Sequence, residues 1–138
     1  MSELPECPVE LTVSLVGDRW KILILRDLRQ RTMRFSELRE SVPGISSKVL
    51  TNRLRELETD GLISRQAFAE IPPRVEHSVT DLGRSFTPIF ETMCSWGEWY
   101  RENHGRSARI GHPRGTRSRG CPITRPMPYS KTMTASPT

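Results

Sequence analysis

Lys48, Asn52 and Arg55 follow one another at intervals of four and three, with Ser47 and Thr51 beside them. On a helix of about 3.6 residues per turn, that spacing puts a cation, an amide and a guanidinium on one face. Arg or Lys pairs with guanine edges in a DNA major groove, and Asn pairs with adenine. No acid falls between residues 47 and 55, and Glu56 and Glu58 come only towards the C-terminal end. A solvated helix ordinarily mixes both signs along its length. A protein-contact helix would carry aromatic or aliphatic anchors, which argues against the alternative of a protein-interaction module without specific DNA readout. The chemistry this face suits is base readout, with the positive N-terminal helix end favouring phosphate.

Other chemistries find little support. His77, His104 and His112 stand at no motif spacing from a carboxylate, and neither a Gly-rich phosphate loop nor a paired-acid motif occurs. The chain is not expected to be an enzyme. Cys94, His104 and His112 make a poor metal set, and no metal or cofactor is implied. Cys7, Cys94 and Cys121 are odd in number and widely spaced, which suggests neither a disulfide framework nor a zinc knuckle.

The elements that position the reading face follow from breaks and periodicity. Residues 7 to 16 form a short helix with Pro8 in its first turn. Asp18 caps a second helix, residues 19 to 29, whose Trp20, Leu23, Ile24 and Leu28 form the central wall of the core. After a brief extended segment at Arg34-Phe35, Ser36 is expected to cap a two-turn helix from Glu37 to Val42. Pro43-Gly44 turns into the helix of residues 44 to 61, with Ser46 as N-cap, Leu50, Leu54 and Leu57 inward, and Gly61 as left-handed C-cap. The period then changes to two, giving strands at 62 to 68 and 75 to 79 around the loop Ile71-Pro-Pro-Arg74. The expected fold is mainly α with a small β-hairpin (α+β), a winged helix-turn-helix with Arg74 near the wing tip and in reach of DNA.

Thr80 is expected to cap a last long helix running to about Asn103. Leu82, Phe86, Ile89, Phe90, Met93, Trp96 and Tyr100 give it more apolar surface than so small a domain can bury on itself. A second copy, helped by Leu11 of the first helix, covers this stripe in a symmetric dimer; cover by the first helix alone is the other possibility.

Composition agrees with this plan. The 138 residues carry a net charge of +5, but seven basic residues and no acids lie in 105–138. Residues 1–104 therefore hold 14 basic against 16 acidic side chains, so any DNA affinity comes from a local patch. Residues 1–104 form the folded domain, and 105–138 a disordered basic tail that either adds salt-sensitive affinity or is a plain extension. The N-terminus lacks a signal peptide's pattern and no apolar run could span a membrane, so a cytoplasmic protein is expected.

Several motifs together resemble one family. Cys7-Pro-Val-Glu, Trp20-Lys-Ile-Leu-Ile-Leu-Arg, Arg34-Phe-Ser-Glu-Leu and Pro43-Gly-Ile-Ser come in order, followed by Leu50-Thr-Asn-Arg-Leu-Arg-Glu-Leu-Glu and Asp60-Gly-Leu. With Pro72-Pro-Arg-Val-Glu-His-Ser-Val-Thr-Asp-Leu-Gly83 and Trp96-Gly97, they resemble HxlR-type bacterial transcription regulators of the MarR-like superfamily over roughly residues 6 to 100. The resemblance implies a winged-helix homodimer on double-stranded operator DNA, with the first and last helices as dimer interface. Asp18 stands where the family often has a small residue, and the basic tail lies outside the family pattern. Some regulators of this type sense oxidants or electrophiles through a cysteine just before the first helix, where Cys7 stands. A helix N-terminus favours the reactive thiolate; the alternative is that Cys7 only packs at the dimer edge.

Overall fold

A computed structural model describes residues 3–104, which fall in two compact units that divide after Phe86. The basic tail, Cys121 and His112 lie outside the described residues. In chain order the elements of the first unit are α1 (Pro8–Val16), α2 (Arg19–Leu28), β1 (Met33–Arg34), α3 (Phe35–Ser41), α4 (Ser47–Thr59), β2 (Ile63–Phe68), β3 (Arg74–Val79) and α5 (Asp81–Arg84). The second unit contains α6 (Thr87–His104).

The helices begin and end where local chemistry dictates. Asp18 caps α2 by accepting from the backbone N–H groups of Trp20 at 2.7 Å and Lys21 at 3.3 Å. Ser46 caps α4 by accepting from Val49 N. The far end of α4 closes with two reversed bonds, Gly61 N–H to Glu58 O and Leu62 N–H to Leu57 O, both 3.0 Å. That closure needs a left-handed residue at 61, where glycine has φ +78°.

Three sequence expectations are corrected. Ser36 does not cap α3; the helix starts at Phe35, and Glu37 reaches back to accept from Arg34 N at 2.7 Å. The extended segment before it is Met33–Arg34, and it pairs as a third strand, giving the antiparallel order β1-β3-β2. The long C-terminal helix is two helices. Pro88, in the first turn of α6, has no N–H to give to Arg84 O, and its ring would clash with that carbonyl, so α5 stops and α6 starts afresh.

The core of the first unit is Ile24, Leu25 and Leu28 of α2, Leu38 of α3, and Val42 and Ile45 of the turn. Leu50, Leu54 and Leu57 of α4 join them, with Met33, Leu62 and Ile63 from the sheet side. Trp20 and Leu23, expected in the central wall, are only half-buried, whereas Lys21 is buried. Thr80 stitches the two ends of the hairpin together. Its hydroxyl donates to Gly61 O at 2.6 Å, and its N–H donates to Leu62 O at 3.1 Å.

Candidate nucleic-acid interface

The buried seam of α4, Leu50, Leu54 and Leu57, fixes which side faces out. Ser47, Lys48, Asn52 and Arg55 are exposed, and Thr51 is half-buried. The Thr51 hydroxyl is occupied, donating to Ser47 O at 2.8 Å. Lys48, Asn52 and Arg55 make no side-chain hydrogen bond or ion pair with any described residue, so a cation, an amide and a guanidinium stand together with their donors facing solvent.

Two further charges of α4, Glu56 and Arg53, are tied to α2. Glu56 Oε2 lies 3.0 Å from Lys21 Nζ, and its Oε1 lies 2.9 Å from Arg53. Arg53 in turn lies 3.2 Å from Asp18 Oδ2. The lysine side chain is 11% exposed. Its hydrogen bond is the main cause holding the Glu56 carboxyl below its ordinary range. The acid nearest the reading face is thus neutralised from behind. Sequence reasoning found Asp18 as a cap but missed the two pairs between α2 and α4, because each joins residues 35 positions apart and no periodicity signals them.

The wing is the β2–β3 hairpin, with cross-strand pairs from Ile63 with Val79 to Phe68 with Arg74. Its loop exposes Ile71 completely. Arg74 opens β3, and its guanidinium lies 4.1 Å from the Phe68 ring centroid. It also pairs with Glu70 at 3.2 Å and Glu76 at 3.5 Å. The structure therefore gives Arg74 partners within the wing, which the sequence did not reveal. His77 sits in the middle of the sheet, opposite Met33 on one side and Arg65 on the other. It is buried, and its Nδ1 has no hydrogen-bond partner. Burial pushes its imidazole below the ordinary range, Arg65 pushes the same way, and Glu58 pulls weakly upward.

Cys7 is the N-cap residue of α1, exposed and unpaired. Leu11 on α1 is half-buried. Of the other residues expected at a dimer interface, Leu82 on α5 is 57% exposed, while Phe86 packs against the core. On α6, Ile89, Met93, Trp96 and Tyr100 are exposed, and Phe90 is buried already in the single chain. Trp99, absent from the expected stripe, is exposed too and stands 6.2 Å from the Trp96 ring, which stacks on Tyr100 at 5.4 Å. Among the described residues, no helix is long and apolar enough to cross a membrane.

The model of the HxlR-like helix-turn-helix family matches residues 15–105. An HTH-type transcriptional regulator of Methanothermobacter thermautotrophicus is 44% identical over 105 residues, covering 74% of this chain and 80% of its own. Among solved structures, the redox regulator HypR in its reduced form superposes with a TM-score of 0.69 at 38% identity, over 72% of this chain and 99% of its own. Diamide-treated YodB from Bacillus subtilis superposes with a TM-score of 0.58 at 34% identity, over 71% and 94%.

Proposed function

Since the chain belongs to the HxlR-like helix-turn-helix family and is a DNA-binding transcriptional regulator, we propose that it reads operator DNA as a homodimer, with α4 in the major groove. Asn52 and Arg55 contact base edges, and Lys48, Ser47 and Thr51 contact bases or phosphates at the groove wall. The observation that carries this reading is the unpaired, acid-free set Lys48, Asn52 and Arg55 on the exposed side of α4. Arg74 reaches phosphate by exchanging one of its wing carboxylates for it. The regulator acts in the cytoplasm, where its DNA is.

The dimer is supported by the exposed apolar and aromatic side chains of α6, more than a lone helix keeps in water without a partner. Two copies related by a twofold axis would offer two α4 helices to half-sites about 34–36 Å apart. HypR is a redox regulator and the YodB match is a diamide-treated form. With a free, exposed thiol at an N-cap, this supports Cys7 as an oxidant-responsive residue.

The test is selection of duplexes from a random pool by the purified protein, followed by binding of Asn52→Ala and Arg55→Ala. Each should cost roughly 1–3 kcal/mol on selected duplexes and little on scrambled ones. Equal losses on both kinds would mean the two side chains touch only phosphates, and no loss on either would remove α4 from the interface.

A further inference from the structure

Resting on the reading of α4 as the DNA-reading helix, we infer that the four charges Asp18, Arg53, Glu56 and Lys21 set the roll of α4 about its own axis. They thereby set the direction in which Lys48, Asn52 and Arg55 point. They are positioning residues and need touch no DNA.

The apolar seam cannot do this alone. Leu50, Leu54 and Leu57 lie within roughly 60° of one another around the helix, and half-buried Val49, packed against the same core, lies roughly 100° from Leu50 on one flank. Apolar contact is non-directional, so it fixes distance and tilt better than rotation. Rotation matters here: a roll of about 20° moves a side-chain tip near the helix surface by about 2 Å. That exceeds the few tenths of an ångström over which a hydrogen bond to a base edge keeps its strength.

The charged network supplies the missing direction. Arg53 lies roughly 60° and Glu56 roughly 120° from Leu50, both on the same flank, and both are held by the first turn of α2. Every carboxylate oxygen has one task. Asp18 Oδ1 caps α2 through Trp20 N and Lys21 N, while Oδ2 lies 3.2 Å from Arg53 Nε, an ion pair without a hydrogen bond. Glu56 Oε1 holds Arg53, while Oε2 holds Lys21. The circuit closes through the backbone between residues 18 and 21, which is itself fixed by the cap. Lys21 has little freedom to swing, since its side chain is 11% exposed. Glu56 is thereby kept from turning its charge towards phosphate, and Arg53 from competing with Arg55.

The experiment compares binding of a duplex selected by the unmodified full-length chain with a scrambled duplex of the same composition, alongside melting temperature. Lys21→Met with Glu56→Leu replaces the pair by apolar groups, a change that folds often tolerate. We expect a nearly unchanged Tm and a fall of about tenfold in the ratio of scrambled to selected Kd, the size of one lost base contact. Asp18→Asn keeps a capping oxygen but removes the charge facing Arg53, and should lower the ratio about threefold, a fraction of such a contact. An unchanged ratio in both variants, in folded protein, overturns the inference. If the double variant unfolds, Asp18→Asn decides by the same criterion. Asn52→Ala separates the two readings. If it lowers the ratio while the network variants do not, only the positioning role fails. If it too leaves the ratio unchanged, or if no duplex is selected at all, the assignment of α4 fails with it.

Discussion

Lys21 Nζ lies 3.0 Å from Glu56 Oε2, and the two side chains are unequally exposed, 11% against 45%. Losing either partner should therefore have unequal effects. Glu56→Gln leaves an ammonium in a site that solvent barely reaches and should cost about 1–2 kcal/mol, below the roughly 3–5 kcal/mol of a fully buried pair. Lys21→Met leaves a glutamate that water can solvate and should cost about 0–1 kcal/mol. Urea unfolding of the two variants measures the difference, and equal losses would contradict the burial asymmetry.

Arg74 has two tasks that salt can separate. If it meets phosphate, Arg74→Ala should weaken binding to all duplexes and flatten the dependence of log K on log salt by about one unit. If it only braces the wing through Phe68, Glu70 and Glu76, affinity falls with the slope intact.

His77 predicts how stability changes with pH. Burial favours its neutral form, so the folded chain binds fewer protons there than the unfolded chain. Its contribution is complete above the ordinary histidine value of 6.5 and declines as pH falls below it. Glu56 and Glu37 are held below the ordinary carboxylate value of 4.5, so their contributions are lost only in more acid solution. Unfolding measured at pH 7.5, 6 and 5 should show a decline that His77→Gln reduces; an unaltered decline would assign it to other groups.

The exposed side of α6 predicts the assembly. Trp96→Glu or Ile89→Glu should convert a sedimenting dimer to monomer, because an unpaired charge in an apolar interface is costly. A monomeric unmodified protein at micromolar concentration would defeat the twofold reading of DNA.

For Cys7, diamide should change DNA affinity, and Cys7→Ser should abolish the response while preserving binding under reducing conditions. Cys121→Ser is the control. A response that survives without Cys7 would leave that residue a cap-position side chain with no sensing role.

The sequence was most informative where the signal is local. Ser46, Gly61 and the leucines of α4 declare their positions through caps and period, and so the outward set Lys48, Asn52 and Arg55 was legible. The hairpin was legible from the change of period and the two prolines. What escaped depends on how segments pair. Nothing near Met33 announces pairing with His77, and Phe68, Glu70 and Glu76 stand near Arg74 in sequence but hold it only through the register of the hairpin. The continuous apolar spacing from Leu82 to Tyr100 concealed the break that Pro88 imposes.

The stitching of Thr80 to Gly61 and Leu62 makes the hairpin an excursion that leaves and re-enters the fold at one spot. Its length is consequently decoupled from the register of everything downstream. Residues could be added to or removed from the loop between Phe68 and Arg74 without shifting α5. A residue inserted between Gly61 and Ile63 would instead break both the end of α4 and the Thr80 stitch. For engineering, the loop between Phe68 and Arg74 is thus the place open to changes of length, and the two stitched ends of the hairpin are not.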